Sequence, residues 1–355
     1  MKRTYKNILL SLITIFICFI IGEIFWRYIV FSKSPLFTSL RKPAFFADYF
    51  SDDDYWKLQY LTNGKYKPPQ NPHPLLGWVG DFSRESYLHN NYSAIGDKRP
   101  VLLYGDSFAQ CAGSEICFQE ILNNDTLFSK HNYLLNYGVG GYGLDQIYLL
   151  FKNSYYLYHN PIVIISLLTE DLDRSILTVR TGQKPYFLIE NNQLILKGVP
   201  IQNNPQLYFA NNPPTIKSYF LNRITHAIPR EVWPGLWNNQ SVINRKKEIN
   251  RKILTEIIKE LKDHNIDFFF LVFHGMWKGI TTLDFKDDWR DLFIKRILEE
   301  ANIPYIWSKD IYKHDNIDRK NTLLKYFIAG DGHPTTYNNK LIAEEIKKRV
   351  IQITK

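Results

Sequence analysis

Three textures follow one another along the chain. From Ile8 to Ile21 it reads ILLSLITIFICFII without a charge, and apolar residues continue past Glu23 and Arg27 to Phe31. As one helix, 8–31 spans about 36 Å, enough to cross a bilayer core. Glu23 and Arg27 lie four apart and would face one another near its end, the Arg reaching towards the headgroups. Residues 34–99 are irregular: KPPQNPHPLLGW carries four prolines, Asp52–Asp54 is an acidic cluster, and turn signals dominate. His73, between two prolines, reads as a loop residue. After Pro100 short apolar runs take over: VLLYG (101–105), YLLNYG (133–138), IVIISLL (162–168), IDFFFLVF (266–273) and IPYIWS (303–308). Helical spacing separates them, in GLDQIYLLFKNSYYLYH and over 241–264, 287–301 and 335–352. Nearly uninterrupted apolar strands suit a parallel sheet buried on both faces, and their alternation with helices predicts an α/β fold. After the third strand, 174–240 interrupts the alternation. Within it PYFLIENNQLILKG reads as a hairpin, and the rest is rich in Asn and Pro. Such a length without structure is unusual, so the region is read as an insertion that shapes a binding cleft.

Composition narrows the classes. With 45% hydrophobic and 22% charged residues in 355, and only 18 Gly, 17 Pro and 3 Cys, disordered, collagen-like and disulfide-rich classes are excluded. The formal charge of +9 first suggests an anionic partner. Residues 1–43, with seven basic side chains against Glu23, carry +6 of it, so the rest is nearly balanced. The charge therefore fits bilayer anchoring, and no nucleic-acid partner is expected. INRKKEINRK (243–252) mixes with acidic residues and apolar Ile249, Ile253, Ile257 and Leu261, a solvated amphipathic helix face. A cleaved leader is the alternative to an anchor. No A-x-A-like site follows the apolar run, and Gly22-Glu23-Ile24-Phe25-Trp26 is a poor place to cleave. Lys2, Arg3 and Lys6 favour a cytoplasmic N-terminus and a body on the extracytoplasmic side, although Arg27, Lys33, Arg41 and Lys42 weaken that vote. Cys18 lies in the membrane segment. Cys111 and Cys117 either pair, in an oxidising compartment, or remain two small thiols.

Chemistry-bearing residues gather where the strands end. Gly105-Asp106-Ser107 follows the first strand, where open α/β sheets bind ligands. Asn136-Tyr137-Gly138-Val139-Gly140-Gly141-Tyr142-Gly143 follows the second. Its glycines allow close backbone approach, but it is not a dinucleotide fingerprint. Gly330-Asp331-Gly332-His333-Pro334 precedes the last helix, so one loop can deliver an imidazole base and a carboxylate to orient it. A tight turn would use the same residues. No Walker lysine or metal-ligand spacing is present, so no cofactor or metal is expected.

In this order the blocks resemble the SGNH/GDSL hydrolase superfamily over residues 100–350, with His73-Pro74-Leu75-Leu76-Gly77-Trp78 and the N-terminal helix similar to the lead-in of membrane-anchored bacterial members. The resemblance implies a flavodoxin-like three-layer α/β/α sandwich (100–353) after an anchor (1–33) and a lead-in (34–99). It implies Ser107 as nucleophile, His333 as base and Asp331 as its partner. The backbone N–H groups of Ser107 and Gly141 become the oxyanion donors. Two departures stand out. Glu170, in Leu168-Thr169-Glu170-Asp171-Leu172, takes the place of an Asn donor, so Thr169 substitutes, Glu170 is protonated, or activity is low. Glu170 faces substrate or pairs with Arg174. Asp331 lies two residues before His333, where many members have three. His274, ending the fourth strand, is a reserve base. The expected activity is a membrane-anchored serine esterase for an O-acyl ester of a cell-envelope glycan or lipid. An O-acyltransferase modifying a surface polysaccharide and a non-catalytic binding protein on the same fold are the alternatives.

Overall fold

In a computed structural model that describes residues 2–62, 69, 71–228, 232, 240–275, 287–313 and 324–354, the five apolar runs become five parallel strands. They are β1 (Arg99–Gly105), β2 (Asn132–Gly138), β3 (Ile162–Leu168), β4 (Asp267–Phe273) and β5 (Tyr305–Trp307). The spatial order is β2-β1-β3-β4-β5, the flavodoxin-type order, which reverses direction between β1 and β3. Along the chain the helices are α1 (Lys2–Phe31), α2 (Asp53–Thr62), α3 (Ser107–Gln110), α4 (Phe118–Asn123), α5 (Leu144–Ser154), α6 (Asp171–Arg174), α7 (Pro205–Asn211), α8 (Tyr219–Thr225), α9 (Gln240–Asp263), α10 (Trp289–Glu300), α11 (Ser308–Lys313) and α12 (Thr336–Ile353).

Side chains alternate across each strand, so the sheet has two faces to bury. On one, Val101, Leu103, Ile162, Ile164, Phe269 and Leu271 join Phe118 and Leu122 of α4 and Ile342, Ile346 and Val350 of α12 in one core cluster. On the other, the Tyr104 ring packs on Phe151 of α5 at 5.7 Å, and its hydroxyl meets Ser154 Oγ at 2.8 Å. Every residue of β3 is buried, as its unbroken apolar run requires. The outer edge of β2 is closed by amide side chains of α4. Asn123 donates to the Leu134 carbonyl at 2.9 Å and accepts its N–H at 2.8 Å, while Gln119 accepts the Asn136 N–H at 2.9 Å. These side chains stand in for a missing strand.

Contacts divide the chain into two units. The larger comprises 71–178, 184–203 and 244–355 and holds the sheet. It includes the expected hairpin, Tyr186–Glu190 against Gln193–Lys197, whose Asn191 and Asn192 both take positive φ (49° and 64°) as a two-residue turn demands. It also includes the second half of the lead-in: His73 is buried, with Nδ1 accepting the N–H groups of Leu75 and Leu76 at 3.1 Å. The smaller unit comprises 1–70, 179–183 and 204–243. Here α1, of which Thr4–Phe31 is long and apolar enough to cross a membrane, ends in a cluster of Val30, Phe46, Leu58 and Tyr219. The 34–99 lead-in and the 174–240 insertion are thus each shared between the units. Residues 63–68 and 70 of the Pro-rich region and 229–231 and 233–239 of the insertion lie outside the described residues.

Cys111 and Cys117 form a disulfide with Cα atoms 5.7 Å apart, just beyond α3, and Cys18 is free.

Candidate active site

The floor of the site is a buried ion cluster that ties three loops together. Asp106, the residue after β1, is the N-cap of α3 and accepts the Phe108 N–H at 2.8 Å. Its other oxygen takes Arg174 Nη1 at 2.9 Å. The same guanidinium reaches Asp171 at 2.5 Å and the Tyr142 carbonyl at 3.1 Å, and Asp171 accepts the Leu168 N–H at 2.9 Å. One arginine therefore locks the ends of β1 and β3 and the glycine-rich loop. Burial, reinforced by the neighbouring Asp106 charge and opposed by Arg174, pushes the Asp171 carboxyl well above the usual carboxylate range. Arg174 accordingly serves Asp106 and Asp171.

Above this floor, Ser107 is the first residue of α3 and is half-buried at the carboxyl end of β1. Its hydroxyl makes no hydrogen bond among the described residues. Gly138 lets α3 lie against β2, since a Cβ there would fall inside the backbone of Gln110. Gln110 in turn accepts the Gly140 N–H at 2.7 Å. The Gly140 carbonyl accepts the Trp78 indole N–H at 3.0 Å. A trans peptide points its C=O and N–H in opposite directions. Trp78 therefore turns the Gly141 N–H away from itself, and no acceptor among the described residues engages that N–H. Trp78 is held in turn: its carbonyl accepts the Tyr142 hydroxyl, and Gln146 Nε2 donates to the Leu76 carbonyl at 2.8 Å.

His333 comes from the loop before α12. The loop is pinned by the Phe327–Pro334 bridge and the Ile328 N–H to His333 carbonyl bond of 2.9 Å. Gly332, at φ 85°, takes a turn that other residues resist. Asp331 and His333 Nδ1 are hydrogen-bonded, and this bond holds the Asp331 carboxyl below its ordinary range. The His333 ring lies 5.5 Å from that of Phe108, the neighbour of Ser107. The fold thus carries Ser107, Gly141 and the Asp331–His333 pair on one unit near the carboxyl ends of the strands. The Ser107 hydroxyl and His333 are not hydrogen-bonded, and such bonds often tighten only when substrate arrives.

Glu170 is 2% exposed, and one carboxylate oxygen has no hydrogen-bond partner among the described residues. The other accepts the Thr169 hydroxyl at 3.3 Å. Burial works against the Arg290 charge, yet Asp173, Asp288 and Glu170 together hold that guanidinium above its ordinary range. Glu170 is therefore part of a larger buried charge cluster. His274 is 3% exposed and engaged on both nitrogens, with Ser308 Oγ at 2.8 Å from Nδ1 and Asp291 at 2.9 Å from Nε2. Residues 276–286, which follow it, lie outside the described residues. The roles of Trp78, Gln110 and Arg174 at the site were not legible as single residues. Only the placement of HPLLGW before the first strand hinted at one of them.

No family model and no curated protein matches the sequence. Among solved structures the chain is similar to a lipase/acylhydrolase from Enterococcus faecalis (13% identity, TM-score 0.40, 71% of this chain and 96% of that one). It is also similar to a lipolytic protein of the G-D-S-L family from Desulfitobacterium hafniense DCB-2 (11%, 0.37, 71% and 99%). A third is an acetylxylan esterase from Geobacillus stearothermophilus (13%, 0.38, 72% and 95%).

Proposed function

We propose that the protein is a membrane-anchored SGNH-type serine esterase acting on an O-acyl ester of a cell-envelope glycan or lipid. The observation that carries this reading is the Asp331–His333 hydrogen bond on a loop that sets His333 beside Phe108, next to a Ser107 whose hydroxyl is uncommitted. As Ser107 Oγ attacks the ester carbonyl, His333 Nε2 takes its proton. The oxyanion accepts the Ser107 and Gly141 N–H groups. Collapse breaks the ester C–O bond, and the departing alkoxide takes the proton from His333. Water then attacks the acyl-Ser107 ester by the same relay, releasing the acid and restoring the hydroxyl. A glycan hydroxyl in place of that water would give the O-acyltransferase reading. The Cys111–Cys117 disulfide supports an extracytoplasmic body.

A fluorophosphonate probe tests the reading. The expected result is one covalent adduct, mapped to Ser107 and absent in Ser107→Ala. A folded wild-type protein that takes up no probe and turns over no activated ester would overturn it. Release of free acid measured with and without an acceptor glycan separates hydrolysis from transfer.

A further inference from the structure

We infer that helix α8 is a second lipid-contacting element, docked against the anchor helix α1 with Leu221 and Ile224 turned to the acyl chains of the bilayer. This inference rests on the reading of α1 as a membrane anchor.

Two observations within the smaller unit carry it. The first is where α8 touches α1. The Phe220 ring packs edge-on against Phe19 at 5.7 Å. It also lies over Gly22, where an added Cβ would come within 2.9 Å of the ring. Phe19 is eight residues before Arg27, about 12 Å along a helix axis. A hydrocarbon core takes about 20 residues, and counted from Ile8 it ends near Arg27. Phe220 therefore meets the anchor at a depth where the anchor itself is surrounded by lipid.

The second observation is how Glu23 is satisfied. A carboxylate near the end of a span is costly unless its lone pairs are filled. Glu23 pairs with Arg27 Nε at 2.6 Å and accepts the Ser218 hydroxyl at 2.7 Å. It also accepts the N–H groups of Tyr219 at 3.2 Å and Phe220 at 3.0 Å. The Arg27 Nη2 donates to the Lys217 carbonyl at 2.9 Å. The segment 218–220 thus supplies the donors that Glu23 would otherwise seek in water, and it can do so only at the depth of Glu23.

With Phe220 so placed, the rest of α8 follows. Leu221 and Ile224, three apart and on one face, are 47% and 45% exposed. The face of α1 that carries Phe19 continues one and two turns towards the N-terminus as Ile15 and Leu12, 66% and 59% exposed. Lys33 and Lys217, two residues beyond the end of α1 and two before the start of α8, are exposed and suit phospholipid headgroups.

The test uses the full chain carrying Cys18→Ser, so that an introduced cysteine is the only free thiol, reconstituted in phosphatidylcholine vesicles. An environment-sensitive fluorophore is attached at Leu221→Cys, Ile224→Cys or, as a report on the anchor alone, Ile13→Cys. Each sample is quenched with a nitroxide on the lipid acyl chain and, separately, with aqueous iodide. The expected result is a blue-shifted emission at all three positions, reduced by the lipid nitroxide and spared by iodide. Lipid quenching at position 13 together with iodide quenching at both 221 and 224 would overturn the inference and leave the anchor intact. Iodide quenching at position 13 as well would overturn the anchor reading, and this inference with it.

Discussion

Two histidines of one unit each hold a carboxylate, yet they are built for different ends. His274, after β4, sits in a complete Ser–His–Asp relay: Ser308 at 2.8 Å, Asp291 at 2.9 Å, and Lys309 closing the far side of Asp291 at 2.9 Å. Ser308 is fully buried and also accepts the His274 backbone N–H at 3.0 Å. His333, before α12, has among the described residues only its Asp331 side-chain hydrogen bond, and its side chain is 30% exposed against Phe108, the neighbour of a serine whose hydroxyl has no partner among those residues. By hydrogen-bond completeness alone His274 would be preferred as the base. Chemistry needs the opposite: a donor and acceptor left open for substrate, with water able to reach them. A saturated buried network contributes to folding, and breaking it leaves buried polar groups unpaired.

The sharpest way to break this contrast is to remove each serine in turn. Ser107→Ala should lower esterase kcat/KM by roughly 10⁴–10⁶ while leaving the urea midpoint unchanged. Ser308→Ala should do the reverse: it should leave fluorophosphonate labelling at Ser107 intact while costing about 1–3 kcal/mol of stability, because His274 loses a buried partner. Activity that followed Ser308 and ignored Ser107 would invert the assignment of the two relays.

A smaller effect belongs to the glycine-rich loop. The open N–H of Gly141 contrasts with the filled N–H of Gly140, and Trp78 is what sets that difference. Trp78→Phe keeps an aromatic side chain, though a smaller one, and removes the donor to the Gly140 carbonyl. Losing an oxyanion donor outright costs about 10²–10³ in rate, so loosening one should cost about tenfold in kcat with KM little changed. A KM rise at constant kcat would instead mark Trp78 as a substrate contact, and the Gly141 donor would need no help from the lead-in.

Much of this arrangement is legible in the sequence because strong local rules produce it. Runs such as IVIISLL have no polar face to expose, so they become central parallel strands. The Asn191-Asn192 pair accepts positive φ and closes the hairpin. The relay of Asp331 and His333 is local, two residues apart. What is not legible depends on long-range encounters. Arg174 binds Asp106 across 68 positions and Trp78 reaches Gly140 across 62, and no periodicity encodes either. Glu170 illustrates the same limit: its neighbours in sequence suggest pairing with Arg174, whereas that guanidinium is drawn to Asp106 and Asp171. The sharing of lead-in and insertion between two units is invisible for the same reason, since Glu23 and Ser218 meet across 195 positions.

The smallest effect separates the two carboxylates by pH. Burial lowers the His274 pKa below 6.5 in spite of Asp291, so the folded ring stays neutral where an unfolded one would charge. Burial alone would raise Asp291, but hydrogen bonds from His274 and Lys309 outweigh it and bring its pKa down to about 2 from 3.8. In both cases the unfolded chain binds protons that the folded chain resists, so stability falls as pH drops. The His274 contribution is present above about pH 6.5 and is lost below it. The Asp291 contribution is full above about pH 4 and is lost on the way down to about pH 2. Urea unfolding of the full chain in detergent, repeated across this range, should therefore show a lower limb that flattens in Asp291→Asn. Asp331 is also held low, but its side chain is 48% exposed, so Asp331→Asn should leave the limb nearly as steep while reducing turnover. A limb that flattened equally in both variants would mean that the exposed relay and the buried one contribute alike to folding, and the contrast between the two histidines would fail.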